Sequence, residues 1–311
     1  MEQTENRDMK NSPIGVFDSG LGGLTVLREM ILELPGESTI YLGDTARVPY
    51  GIRSAEVVTR YSFENMRFLL SKGIKMLVIA CNTASAISLE ALKRAAPVPV
   101  IGVIEPGARA ALKASKNGRI GVIGTETTIK SGAYARVLET LSPHTNPGRP
   151  VKVFSRPCPL FVPLVEEGWV DNEVALLTAR NYLSGFAENG IDTVLLGCTH
   201  YPLLKKTIAA VMGGGVTLID SAKETAKEIG KVLQEKNFLR PDTLPPEREF
   251  YVTDAPDRFK TLGGRFLPGE DINGDFHGPD SDFHGPDRRA IIKEVKLMEV
   301  WNEFSTGRQK K

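Results

Sequence analysis

Of the three cysteines in the chain, two stand in matching company. Cys81 lies in Ala80-Cys81-Asn82-Thr83 and Cys198 in Gly197-Cys198-Thr199-His200. Each follows a small residue at the end of a short apolar run and precedes a polar pair. Cys158, in Arg156-Pro157-Cys158-Pro159, lacks that company and reads as a small buried apolar residue. Two thiols at equivalent places suit inversion at a carbon that bears an acidic proton. The reaction removes a proton from one face and supplies one to the other, and a thiolate facing a thiol does both without moving the substrate. A reference thiol pKa of roughly 8.5 lies close enough to neutrality for neighbours to decide which sulfur is ionised. Asp18 and His200 are placed to handle those protons. Asp18 reads equally as a helix cap, and His200 taken alone could be a packed histidine.

Gly20, Gly22 and Gly23 let backbone N–H groups approach an anion where a helix begins. Their Gly-x-Gly-Gly spacing is neither a dinucleotide fingerprint nor a phosphate-binding loop. With Ser19, Asn82, Thr83, Thr128 and Thr199 they supply enough donors for small carboxylates without a basic clamp. A structural zinc site would need about four ligands and usually a Cys-x-x-Cys pair, which is absent, so no metal is expected.

Those residues need a scaffold, and the chain of 311 residues is long enough for about two domains. Short β-rich runs alternate with small or polar turns and helical periods. Predicted strands are 14–17, 39–42, 76–80, 100–103, 120–123, 151–155, 193–196 and 217–219. Predicted helices begin after Gly23, at Ser54 as N-cap and near Thr83, and others centre near Asn181, Thr207 and Lys227. The alternation predicts an α/β fold of two doubly wound parallel-sheet domains. Ligands of such sheets bind beyond the carboxyl ends of the strands, where Asp18, Asp44, Cys81 and Cys198 all fall.

Lys plus Arg number 39 and Asp plus Glu 38, a net charge of +1, which gives no global field for nucleic acid. An odd, sparse set of cysteines argues against a disulfide scaffold and for a reducing compartment. No segment approaches the roughly 20 apolar residues that span a bilayer, and the polar N-terminus has no signal-peptide core. A cytoplasmic protein binding neither membrane nor nucleic acid is expected. Beyond Pro268 the pattern changes. Asp275-Phe276-His277-Gly278-Pro279-Asp280 recurs as 282–287, which reads as a linker from a slipped duplication rather than a metal site. Residues 288–304 predict a helix with Ile291, Val295 and Met298 on one stripe, suited to packing or to an oligomer interface.

The chain resembles the glutamate racemases of the cofactor-independent aspartate/glutamate racemase family. The resemblance rests on Phe17-Asp18-Ser19-Gly20-Leu21-Gly22-Gly23, Gly43-Asp44, Pro49-Tyr50-Gly51, Ala80-Cys81-Asn82-Thr83-Ala84-Ser85 and Gly197-Cys198-Thr199-His200-Tyr201-Pro202-Leu203. It runs from about Ser12 to Pro268. It implies a first domain of residues 12–104 plus 219–268, a second of 105–218, and a site in the cleft between them. It also implies conversion of L-glutamate to D-glutamate for peptidoglycan, without pyridoxal phosphate or metal. Carried across, Cys81 works on the D-enantiomer and Cys198 on the L-enantiomer, assisted by Asp18, His200 and Glu166, beside which stands Glu167. Ser19, Pro49, Tyr50, Gly51, Asn82, Thr83, Thr128 and Thr199 would line the pocket. Glutamate is the expected small-molecule partner and a homodimer the expected assembly. A one-cysteine enzyme, such as a decarboxylase or hydrolase, would have no use for the second thiol. A binding protein acting through the C-terminal extension would not need either one.

Overall fold

The computed structural model describes residues 9–145, 148, 150–241, 245–267 and, as backbone, 291–294. The duplicated hexapeptide and most of the C-terminal extension lie outside the described residues. Strand β1 (Ile14–Asp18) leads to helix α1 (Leu24–Glu33), β2 (Thr39–Gly43), α2 (Ala55–Ser71), β3 (Met76–Ile79), α3 (Asn82–Ala95) and β4 (Val100–Gly102). Helix α4 (Ile104–Ala114) crosses to β5 (Arg119–Gly124), followed by α5 (Glu126–Lys130), α6 (Ala133–Thr145), β6 (Lys152–Pro157), α7 (Phe161–Glu166) and α8 (Glu173–Glu188). Then come β7 (Thr193–Gly197), α9 (Lys205–Met212), β8 (Thr217–Asp220), α10 (Ser221–Glu235), β9 (Arg248–Val252), α11 (Pro256–Phe266) and β10 (Ile291–Glu294).

The strands form two all-parallel sheets, ordered β10-β9-β2-β1-β3-β4 and β6-β5-β7-β8. Strands β1, β2, β3 and β7 are buried throughout, as their near-continuous apolar runs require of strands covered on both faces. Each sheet has a central strand where the winding changes side: β1 has β2 on one side and β3 on the other, and β5 has β6 and β7. Such switch points open a crevice beyond the strand ends. Register aligns the exits, because Phe17 lies opposite Ile79 and Gly124 lies opposite Gly197. Asp18 and Cys81 therefore leave the first crevice together, and Thr125 and Cys198 leave the second.

One apolar core runs through both halves. Leu24, Leu27 and Met30 of α1 meet Ala222, Ala226, Ile229 and Leu233 of α10, and the same cluster continues to Phe161, Val194 and Tyr201. Helix α10 packs on both α1 and α4, so it ties the two sheets. Burying each of the larger aliphatic side chains contributes about 1.5–3 kcal/mol as an upper figure.

Several features differ from expectation. Helices α4, α5, α6 and α7, the strand at 248–252 and the helix at 256–266 are elements that the periodicity did not mark. The helix predicted over 288–304 is also corrected: residues 291–294 form β10, parallel to β9. The β-branched pair Ile291-Ile292 favours extended backbone, and β9 offers it an open edge. The rest of 288–304 lies outside the described residues.

Candidate active site

Asp18 ends β1 fully buried, and the Gly20 N–H donates to its Oδ2 at 2.9 Å. Burial raises its pKa above the ordinary carboxylate value, against the opposing pull of His200 and of the N–H groups of Gly20, Gly23 and Ser19. The glycines serve a purpose besides anion contact. A Cβ on Gly22 would lie 2.2 Å from Thr199 Oγ1 and 2.5 Å from His200 Nδ1, and one on Gly23 would lie 2.4 Å from the Asp18 Cβ. Gly23 has no room for a side chain because Asp18 lies against it, and Gly22 has none because the second half of the molecule presses on it. Thr25 seals this contact by donating to the Thr199 carbonyl at 3.0 Å.

Cys81 is the N-cap of α3, and its sulfur accepts from the Ala84 N–H at 3.5 Å. The thiol donates to Ser19 Oγ at 3.5 Å. Burial, followed by the charge of Asp18, pushes its pKa up to about 12, and charge on Cys198 acts in the same direction. At neutral pH Cys81 is thus a thiol, a proton in waiting. Next to it Asn82 accepts a 2.6 Å hydrogen bond from the Tyr134 hydroxyl on α6. Thr83 Oγ1 lies 3.0 Å from Thr125 Oγ1 and 3.1 Å from Thr128 Oγ1, a triangle of hydroxyls bridging α3 and α5.

Cys198 leaves the end of β7 with its sulfur 3.9 Å from His200 Nδ1. The other imidazole nitrogen, Nε2, is 3.1 Å from Glu166 Oε1 at the end of α7. Burial favours neutral imidazole, but Cys198 and Glu166 outweigh it and hold the His200 pKa up to about 10. Hydrogen bonding to His200 keeps Glu166 below its ordinary value despite burial, with Arg258 assisting. His200 is therefore an imidazolium, a counter-charge against the Cys198 sulfur. Helix α11 braces this arm. Arg258 Nη2 donates to Glu166 Oε2 at 3.4 Å, Arg265 Nη1 donates to the Glu166 carbonyl at 2.7 Å, and Phe266 meets the His200 ring edge-on at 5.4 Å.

The remaining expected residues differ in how they could reach a ligand. Tyr50 is buried with its hydroxyl donating to Asp44 and accepting from Asn65 Nδ2 at 3.1 Å, so only its backbone is available. Gly51 abuts the second half: a Cβ there would lie 2.6 Å from the Thr125 Cβ. Pro49 is exposed, and Thr199 is buried with its Oγ1 close against Gly22. Of the two adjacent glutamates, Glu166 is the one on His200. Cys158 is buried, its carbonyl accepting from the Tyr201 hydroxyl at 2.8 Å, and burial pushes its thiol pKa up. It is a core residue.

Sequence reasoning missed Thr125, Tyr134, Arg258, Arg265 and Phe266. Thr125 obeys the strand-end rule that singled out the cysteines and was within reach. The others act across the fold from elements whose neighbours no local pattern reveals.

The model of the Asp/Glu/Hydantoin racemase family matches residues 14–229, which contain both cysteines but not α11. The glutamate racemase of Geobacter metallireducens is 56% identical over 257 residues, 83% of this chain and 93% of that protein. The glutamate racemase of Syntrophus aciditrophicus is 48% identical over 269 residues, 85% of this chain and 97% of that protein. Among solved structures, the glutamate racemase of Francisella tularensis in complex with D-glutamate is similar with a TM-score of 0.79 and 37% identity. That likeness covers 93% of this chain and 99% of the other.

Proposed function

The chain belongs to the Asp/Glu/hydantoin racemase family and is an amino-acid racemase, and we propose that it interconverts L- and D-glutamate through its two thiols. The observation that carries this reading is the placement of two matched cysteines at strand exits, each beside its own acid–base partner. Cys81 rests as a thiol beside Asp18, and Cys198 faces the imidazolium of His200. The Cys198 thiolate takes the α-proton of L-glutamate, and the C–H electron pair is left on the α-carbon, delocalised into the carboxylate. The Cys81 thiol then gives its proton to the opposite face. The product is D-glutamate, with the two sulfurs in exchanged states. In the reverse direction Asp18, whose raised pKa brings it toward that of a thiol, helps Cys81 lose its proton.

The N-terminus of α3, with Asn82 and the Thr83–Thr125–Thr128 hydroxyls, receives a substrate carboxylate. Ser19, the backbone of Tyr50-Gly51, and Thr199 complete the pocket, with Pro49 beside it. We divide the chain at 12–104 with 219–268 and at 105–218; two separate sheets support such a division, although β8 (Thr217–Asp220), in the four-stranded sheet, straddles the second joint. No described helix is long and apolar enough to cross a membrane. We place the protein in the cytoplasm as a homodimer, supplying D-glutamate for peptidoglycan.

Deuterium wash-in at the α-carbon, followed with both enantiomers of glutamate and of aspartate, tests the reaction. Racemisation of glutamate is expected, and Cys81→Ser and Cys198→Ser should each abolish it. Full racemisation by either variant would sink the two-thiol scheme, and a preference for aspartate would overturn the substrate. Restored growth of a D-glutamate-requiring bacterium is the expected result for the peptidoglycan role.

A further inference from the structure

Asn82 stands one residue from Cys81, buried, with its Nδ2 amino group making no hydrogen bond to the protein among the described residues. A buried donor without a partner is costly unless a ligand takes it. An asparagine side chain can also present either end, so something must decide that the donor rather than the carbonyl is offered. We propose that Tyr134 is a positioning residue for the reaction: its hydroxyl locks the Asn82 amide so that the NH2 group is offered to a substrate carboxylate. This proposal rests on the racemase reading above and deepens it.

The geometry supplies the lock. Tyr134 lies on α6, in the half of the molecule opposite α3, and is almost wholly buried. Its hydroxyl donates to Asn82 Oδ1 at 2.6 Å. The Ser221 side chain, at the start of α10, stands beside the phenol and opposes the effect of burial on it. The phenol has one proton to give, and it gives it to Oδ1. Burial also raises the phenol's pKa, which keeps that proton in place. A flipped amide would set Nδ2 against the phenol O–H, whose proton would then have to turn away from its 2.6 Å acceptor. The ring itself is held tightly, since a Cβ on Gly197 would lie 2.9 Å from the Tyr134 Cε2. The bond from Tyr134 to Asn82 therefore leaves one donor of fixed direction, at the N-terminus of the helix that Cys81 caps.

Steady-state racemisation by the full-length enzyme with each enantiomer tests this. Enantiomers have an equilibrium constant of one, so kcat/KM is equal in the two directions for every variant. The informative quantity is how KM and kcat divide. Tyr134→Phe should raise KM for both enantiomers about five- to tenfold, leave kcat within about twofold and leave the pH profile unmoved, as loss of ground-state binding requires. In an Asn82→Ala background the same substitution should have no further effect. Ser221→Ala, which leaves the ring in place, should raise KM about two- to threefold, and it decides by the same readout if Tyr134→Phe does not fold. An unmoved KM would overturn the proposal. So would an effect of Tyr134→Phe that multiplies with that of Asn82→Ala, which would mark plain packing. Wild-type enzyme that fails to racemise glutamate would defeat the racemase reading and this proposal with it. Active wild type with an unmoved variant KM defeats this proposal alone.

Discussion

Replacing Glu166 with glutamine keeps an oxygen acceptor 3.1 Å from His200 Nε2 and removes only the negative charge. At that separation an ion pair is worth roughly 5 kcal/mol at an effective dielectric of about 20. Two features reduce this. The Glu166 side chain is 25% exposed, and Arg258 shares its charge from 3.4 Å. A realistic loss is about 1–2 kcal/mol, which lowers the proton affinity of His200 roughly tenfold or slightly more. Burial then pulls His200 further toward its ordinary 6.5, with Cys198 as the remaining support. The alkaline limb of kcat/KM, set near pH 10 by loss of the imidazolium, should move down by about one pH unit. In both directions the variant should be about twofold slower at pH 9 and about fivefold slower at pH 10. Stability should follow the same group. The folded pKa of about 10 exceeds the unfolded 6.5, so the contribution of His200 is fully present below pH 6.5 and is lost as pH rises through 10. Urea midpoints should fall over that window in the wild type, and at lower pH in the variant. Racemisation profiles from pH 6 to 10.5, followed by circular dichroism, check this. An unmoved alkaline limb with kcat/KM within twofold of wild type would refute the claim that Glu166 sustains the imidazolium.

Two other substitutions probe the frame around the site. Gly22→Ala forces a methyl to within 2.2 Å of Thr199 Oγ1, so unfolding free energy should drop by about 1–3 kcal/mol and kcat/KM by at least about tenfold. Urea titration and racemisation assays read both, and two unchanged values would contradict the close packing described. Lys75 is fully buried, ion-paired to Glu37 at 2.5 Å and donating to the carbonyls of Lys10 and Phe238 at 2.9 Å each. Lys75→Met should cost about 3–5 kcal/mol by stranding the Glu37 carboxylate, with part recovered by adding Glu37→Gln. The urea midpoint measures this, and a midpoint unchanged from wild type would show that the pair does not hold this corner together.

Strand-end placement made much of the site legible. The runs ending at Asp18, Cys81 and Cys198 are apolar because their strands are buried on both faces, so the first polar residue after each marks the crevice. Helix ends were equally readable where a cap announces them, as at Ser54, whose side chain accepts from the Val57 N–H at 3.3 Å. Legibility stopped where a residue's value depends on a distant partner. Tyr50 looks like a pocket residue in sequence, yet its ring serves Asp44 and Asn65. Strand β9 reads Arg248-Glu249-Phe250-Tyr251-Val252, half of it polar, and becomes a strand by pairing with β2 more than 200 residues earlier. Helix α11 carries Gly263 and Gly264, poor helix formers, and is held by burial of Phe259, Leu262 and Phe266. The Ile291 stripe suggested a helix because periodicity cannot see an unpaired sheet edge waiting for a strand.

The two halves hold each other's chemistry. Helix α11, which follows a strand of the six-stranded sheet, braces the His200–Glu166 arm of the other half, and Tyr134 returns the service to Asn82. A chimaera that joined one half from this chain to the other half from a relative would inherit both cysteines in their proper crevices. Its braces would belong to a different parent. Recombination at the domain joint should therefore yield folded but sluggish hybrids, and swapping α11 together with the four-stranded half should revive them. Heredity in this molecule follows the cross-braces rather than the sheets.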